Sequence, residues 1–151
     1  MIPATAERVP QNTAEEVNER IRRQTEENIA RCAAAGQEAI DRRLAELDHE
    51  WDIERILEAN AATLALAGVT LGAAVDRKWL VLPGLVAAFL LQHAIQGWCP
   101  PVPIFRRMGV RTASEIDYER YALKLLRGDF DHLKPGQPET DAHRLVEAMR
   151  R

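Results

Sequence analysis

The chain has 151 residues, a formal net charge of −3 and 28% charged residues, which fits one domain of modest size. It has no dense basic run and only 5% aromatic residues, which argues against a nucleic-acid-binding protein. Two cysteines, Cys32 and Cys99, offer neither a disulfide framework nor the spacing of metal ligands. We therefore expect no metal and no cofactor.

The beginning of the chain is polar. Residues 1–12 contain two prolines and little periodicity, so we expect a disordered start without a cleavable signal peptide. Thr13 and Glu16 have the spacing of a capping box and predict a long charged helix over residues 13–48. Its apolar stripe is thin and keeps no strict heptad. The arm of residues 13–51 is therefore either an amphipathic helix that packs as a coiled coil or on a partner, or a charged spacer.

Two apolar stretches, Ala59–Val75 and Trp79–Gln96, follow the arm, and three adjacent charged residues at 76–78 separate them. Seventeen helical residues cover about 25 Å, which is short of the roughly 30 Å hydrocarbon core but tolerated. Trp79 and Trp98 bracket the second stretch, as interfacial indoles do. The pattern predicts a transmembrane helical hairpin.

The alternative is that these alanine-rich helices are buried in a soluble bundle. That bundle would need flanking helices with broad apolar faces, and the flanking segments lack them. We therefore predict an all-α protein whose membrane-embedded hairpin occupies residues 52–111 and is followed by cytoplasmic helices in residues 112–151. A second capping box, Thr112 with Glu115, opens the first of these helices, and the last is expected at Thr140–Arg150.

Basic residues near the membrane predict the orientation of the hairpin. Two of them, Arg77 and Lys78, lie in the connecting loop, and six flank the hairpin: Arg42, Arg43, Arg55, Arg106, Arg107 and Arg111. The positive-inside rule then favours a multi-pass protein of the bacterial inner membrane with both termini in the cytoplasm.

The hairpin sequence also carries a family resemblance. Ile53-Glu54-Arg55-Ile56 precedes the first stretch, and Gly97-Trp98-Cys99-Pro100 closes the second. Over about residues 52–112 the chain resembles the bacterial inner-membrane rhodanese-associated two-helix transmembrane domain family. The resemblance implies a membrane anchor able to dimerise, without an assigned activity. The long N-terminal arm and the tail Arg111–Arg151 depart from the family pattern, so no partner is carried over.

Cys99 is the candidate reactive thiol, because it lies at the interfacial end of the second stretch near Arg106 and Arg107, whose charge could favour a thiolate. An anion-binding loop needs converging backbone N–H groups. Three of the six residues between Cys99 and Arg106 are prolines and supply none. Thiol chemistry, modification and simple structural packing all remain open for Cys99.

Polar residues within the apolar stretches form a second candidate set: Asn60, Gln92, His93 and Gln96. Polar groups in hydrocarbon are costly and raise a functional hypothesis. The last three lie near the cytoplasmic interface, so we expect a hydrogen bond across the hairpin or a dimer, with Asn60 as a partner. A metal site at a lone His93 is disfavoured.

Small residues form a third set on one face of the first stretch: Ala61, Ala65, Gly68 and Gly72. Small residues four apart permit close approach of helices in lipid. The face is either the contact of a homodimer or the seam against the second stretch.

The leading functional interpretation is a non-enzymatic, membrane-anchored module that oligomerises or recruits a partner at the cytoplasmic face. The expected partners are the lipid bilayer, a second copy of the chain and an unidentified cytoplasmic protein. The alternative is a thiol-dependent sulfur-handling or redox protein that uses Cys99.

Overall fold

The computed structural model describes Ala4, residues 6–131, Leu145, Val146 and Met149. These residues contain helices and turns but no strand, which confirms the predicted all-α class. The predicted helix Thr140–Arg150 lies outside the described residues, except for Leu145, Val146 and Met149. The elements in chain order are a 3-10 helix Pro10–Asn12, α1 Glu15–Ala35, α2 Gln37–His49, α3 Ile53–Ala74, a 3-10 helix Arg77–Leu80, α4 Val81–Gln96, α5 Val102–Arg107 and α6 Ala113–Arg127.

The described chain divides into two compact units. The first combines the residues up to Arg23 with Trp51–Ile116, and the second combines Gln24–Glu50 with the residues from Asp117 onward. The predicted segments 13–51 and 112–151 are each divided between the two units.

Two helical stretches are long and apolar enough to cross a membrane. One lies within the helical region Gln37–Ala74, and the other is Arg77–Gln96. Because α2 is highly charged, the apolar part of the first stretch belongs to α3. Only 17% and 6% of the residues in the two apolar windows are buried, whereas core helices of a soluble bundle would be mostly buried. The exposure of large residues such as Leu66, Val81 and Leu91 fits a surface that faces lipid. The hairpin therefore supplies two candidate membrane-spanning helices, at the positions that the sequence predicted.

Local sequence signals define the ends of the hairpin helices. The Asp52 carboxylate accepts from the backbone N–H of Arg55 at 2.8 Å and caps α3, as an N-cap aspartate does. Asp76 caps the 3-10 helix of the connecting loop through the N–H of Lys78. Gly97, with a φ of +77°, ends α4 in the left-handed conformation that favours glycine.

Residues 6–12 differ from the predicted disorder, and residues 1–3 and 5 lie outside the described residues. Residues 10–12 form a 3-10 helix, and Val9 is 2% exposed. Val9 packs in an apolar core of the first unit, together with Ile53, Leu57, Cys99 and Val102. Burial of one apolar side chain offsets part of the entropy of ordering a segment, and hydrogen bonds described below supply more.

The predicted continuous helix over residues 13–48 is wrong at one position. Gly36 has a φ of +90° and separates α1 from α2, a conformation that only glycine adopts without strain. The predicted capping box at Thr13 also differs, because its hydroxyl donates to the carbonyl of Val9 at 2.8 Å and α1 begins at Glu15.

Within the second unit, charged hydrogen bonds connect α2 to α6. Arg43 binds the carboxylate of Glu119, which is fully buried, with Nε 2.8 Å from Oε1. Arg120 donates to the backbone carbonyl of Leu47 at 3.0 Å. Ile40, Leu44 and Leu47 are buried on α2. The apolar side chains of α2 are therefore buried by contacts within this chain.

Candidate functional site

The small face of α3 contacts the second membrane helix. A Cβ atom built on Gly68 would lie 2.5 Å from Cδ of Pro83, and one built on Gly72 would lie 2.5 Å from Cδ2 of Leu80. Glycine at both positions lets the two helices approach closely. Of the two interpretations left open by the sequence, this geometry favours the seam within the hairpin. Ala61 lies on the same side, and Ala65 is half-buried.

A polar cluster connects the two helices at the end of the hairpin opposite the loop. Nε2 of His93 on α4 lies 2.8 Å from Oε2 of Glu54 on α3, and His93 is 2% exposed. Arg8 donates to the other carboxylate oxygen, Oε1, at 2.8 Å. The carboxylate therefore lies between an imidazole and a guanidinium.

The same N-terminal segment covers the last turn of α4. Arg8 donates to the carbonyl of Ala94 at 3.2 Å, and the Asn12 amide donates to the carbonyl of Gln96 at 2.8 Å. The last carbonyls of a helix lack partners within the helix and attract positive charge. At Gly97, a Cβ atom would collide with the backbone of Arg8. Residues 8–12 therefore form a clamp on the end of the second membrane helix.

A second polar cluster is built around Arg106 of α5, which is fully buried. Its guanidinium donates to both carboxylate oxygens of Glu115 at 2.7 and 2.8 Å. It also donates to the side chains of Asn18 and Thr13 and to the carbonyl of Val110. This paired geometry is typical of strong arginine–carboxylate contacts. One side chain thus joins the first part of α1, α5 and the start of α6.

Glu115 is also a member of the predicted second capping box, which the structure confirms. Its carboxylate accepts from the N–H of Thr112 at 2.8 Å, and the Thr112 hydroxyl accepts from the N–H of Glu115 at 3.3 Å. Burial alone would raise the pKa of Glu115, but the bonds from Arg106 and Thr112 outweigh burial and lower it below its ordinary value. Glu115 is therefore a charged, structural carboxylate.

Cys99 lies at the junction between α4 and α5 and is 4% exposed. Burial raises the pKa of its thiol, the negative charge of Glu54 adds to the rise, and a backbone hydrogen bond at Val102 opposes it. Arg106, which the sequence placed near Cys99 as a source of positive charge, directs its guanidinium to Glu115 instead. This environment disfavours the thiolate that a nucleophilic cysteine requires.

His93 makes a hydrogen bond across the hairpin, as expected, but with a different partner. His93 contacts Glu54 rather than Asn60, and Gln96 accepts through its backbone carbonyl from Asn12. Asn60 lines an apolar cavity between the helices, and Gln92 is half-buried. Among the residues that the structure describes, no three histidine, cysteine or acidic side chains are grouped to hold a metal ion.

Sequence reasoning missed Arg8, Glu54 and Arg106 as members of these clusters. For Glu54 and His93 a signal was present, because antiparallel helices place residues before the first span beside residues at the end of the second. For Arg8 we find no comparable signal, since it lies 46 positions from Glu54 in a segment without a helical pattern.

The comparisons with known proteins agree with the hairpin. Residues 52–115 match the family model described as the inner membrane protein YgaP-like, transmembrane domain, and the match confirms the family resemblance. It spans α3, the connecting loop, α4, α5 and the first turn of α6. Comparisons of the chain with curated proteins and with solved structures gave no match. Over residues 52–115 this chain is therefore similar to the transmembrane domain of the YgaP-like inner-membrane family.

Proposed function

We propose that the protein is a non-enzymatic membrane anchor that presents a helical surface to a protein partner at the cytoplasmic face of the inner membrane. The observation that carries this proposal is an exposed apolar face on α6. Tyr118 is 60% exposed, Tyr121 39% and Leu125 63%. Exposed apolar patches of this kind mark interaction sites.

The periodicity of α6 separates this face from the one that the chain already uses. Tyr118, Tyr121 and Leu125 are spaced three and four residues apart and form one stripe. Glu119 and Leu123, both fully buried, lie on another side. Aromatic residues are enriched in the centres of protein interfaces, which supports a protein partner, either a cytoplasmic protein or a second copy.

The proposed orientation places both flanking segments in the cytoplasm. In the first unit, the clamp of residues 8–12 and the start of α6 lie at the same end of the hairpin. Arg8 contacts Glu54 there, and the N–H of Ile53 donates to the carbonyl of Arg111 at 2.9 Å. The six-to-two distribution of basic residues assigns that end to the cytoplasm.

The anchoring role also fits the chemistry of the polar clusters. Arg106 and Glu115 bind each other, and His93 binds Glu54, so these polar contacts hold helices together. The alternative use of Cys99 in sulfur or redox chemistry gains no support, because its thiol is buried and its pKa is raised.

Photocrosslinking in living cells tests the recruitment proposal. A benzophenone amino acid replaces Tyr121 in one strain and Gln24, an exposed polar residue of α1, in the matched control. We expect one adduct of defined mass at Tyr121 and none at Gln24. An adduct of twice the chain's mass identifies self-association. Absence of an adduct at Tyr121, or equal labelling at Gln24, would contradict the proposal.

A further inference from the structure

An apolar cavity of about 240 Å³ lies between the two membrane helices. Leu57, Ala61 and Leu64 of α3 form one wall, Leu85 and Phe89 of α4 form the other, and the loop at Cys99–Pro101 closes one end. The lining side chains are aliphatic or aromatic, with two exceptions: the thiol of Cys99 and the amide of Asn60. We call this cavity the groove.

The groove opens sideways, toward the surface of the hairpin that faces lipid. Leu64, Leu85 and Leu90 line the groove and are also 41%, 52% and 37% exposed. At its cytoplasmic end, Pro100 and Pro101 are part of the wall. The groove is therefore open to the hydrocarbon of the bilayer along its side.

The dimensions of the groove select its occupant. The lining residues of α3 run from Leu57 to Leu64 and those of α4 from Leu82 to Leu90, which correspond to about 10–12 Å along the helices. An apolar cavity of about 150 Å³ already accommodates benzene. The groove thus has room for part of a hydrocarbon chain.

We propose that the groove binds one acyl chain of a phospholipid from the cytoplasmic leaflet. The groove is continuous with the lipid-facing surface of the hairpin, and it runs from the cytoplasmic interface toward the middle of the bilayer, as an acyl chain does. The Asn60 amide offers donors at the interfacial half, where an ester carbonyl of the lipid lies. This inference depends on the membrane hairpin and is independent of any protein partner.

Native mass spectrometry of the full-length protein tests the proposal. The protein is exchanged in detergent with dioleoyl phosphatidylglycerol or dioleoyl phosphatidylethanolamine. Ala61→Leu fills the groove, whereas Ala62→Leu makes the same change at the neighbouring exposed position. We expect the wild type and Ala62→Leu to retain one phospholipid per chain. Ala61→Leu should retain about tenfold less, since expelling about two methylene groups costs about that factor in binding.

Retention should not depend on the headgroup, because only the acyl chain is bound. If Ala61→Leu lowers the helical circular dichroism signal, the filler Val86→Leu on the opposite wall replaces it, with Ala87→Leu as its exposed control. Equal lipid retention by the filled and control variants overturns the proposal. So does retention of the anionic lipid alone, which indicates a headgroup site. A third outcome also overturns it: the wild type is a dimer with no bound lipid, and the groove-filling variant loses that dimer. That result would assign the groove to a second copy of the chain.

Discussion

Replacement of Arg106 by methionine should release the helices that follow the hairpin. The substitution keeps most of the apolar volume but leaves the Glu115 carboxylate without its paired donor. Removing one partner of a buried ion pair typically costs about 3–5 kcal/mol. Since the Glu115 side chain is 25% exposed, we expect the lower end, about 3 kcal/mol. At about 1.4 kcal/mol per factor of ten, this is on the order of a hundredfold in a local opening equilibrium.

Amide hydrogen exchange over residues 108–116 measures that opening directly. Arg107→Met is the matched control, because Arg107 is exposed and adjacent in the sequence. Protection should fall on the order of a hundredfold in Arg106→Met and remain near the wild-type level in Arg107→Met. Equal protection in the two variants would refute the role assigned to the Arg106–Glu115 pair.

The pH dependence of the same experiment adds a second criterion. The pKa of Glu115 is lowered in the folded protein. Its pairing therefore contributes fully above the ordinary carboxyl pKa, and the contribution is lost as the pH falls through the lowered pKa. The difference between wild type and Arg106→Met should shrink as the pH falls below the ordinary carboxyl pKa. A difference that stays constant into acid would show that lost packing, not charge, causes the effect.

Gly68→Leu should destabilise the hairpin by about 1–3 kcal/mol, because a side chain there meets Pro83. Gly84→Leu is the control and should be tolerated, because a side chain there points into open space. Thermal unfolding in detergent compares the two variants. A stable Gly68→Leu hairpin that loses a dimer would instead assign the small face to self-association. In a Cys32→Ser background, maleimide alkylation of Cys99 should be slow at neutral pH, since burial raises the pKa of the Cys99 thiol. The alkylation rate should continue to rise with pH above the ordinary thiol pKa. A rate that reaches its plateau near neutral pH would revive the thiol alternative.

Local signals in the sequence predicted the elements well. The Thr112–Glu115 box caps α6 where the spacing placed it, because a cap depends on residues within one turn. The membrane helices were predictable for a similar reason, since an uninterrupted apolar run has few other solutions.

Contacts between distant segments were not predictable in the same way. One local feature was also missed: Gly36 interrupts the N-terminal helix with a positive φ, although its neighbours are good helix formers. Arg8 lies in a segment without periodicity, and its partner Glu54 is specified only by the folded hairpin. The antiparallel hairpin indicates that His93 and Glu54 lie at the same end, but their pairing in place of His93 with Asn60 depends on side-chain geometry.

Cysteine accessibility in intact cells tests the central claim, a hairpin that crosses the inner membrane with both flanks inside. Single cysteines at Gln11, Asp76 and Leu145, in a chain whose native cysteines are serine, are labelled with a membrane-impermeant maleimide. The account predicts labelling at Asp76→Cys in intact cells, and labelling at Gln11→Cys and Leu145→Cys only after the inner membrane is opened. Labelling of either flank in intact cells, or protection of Asp76→Cys, would contradict it.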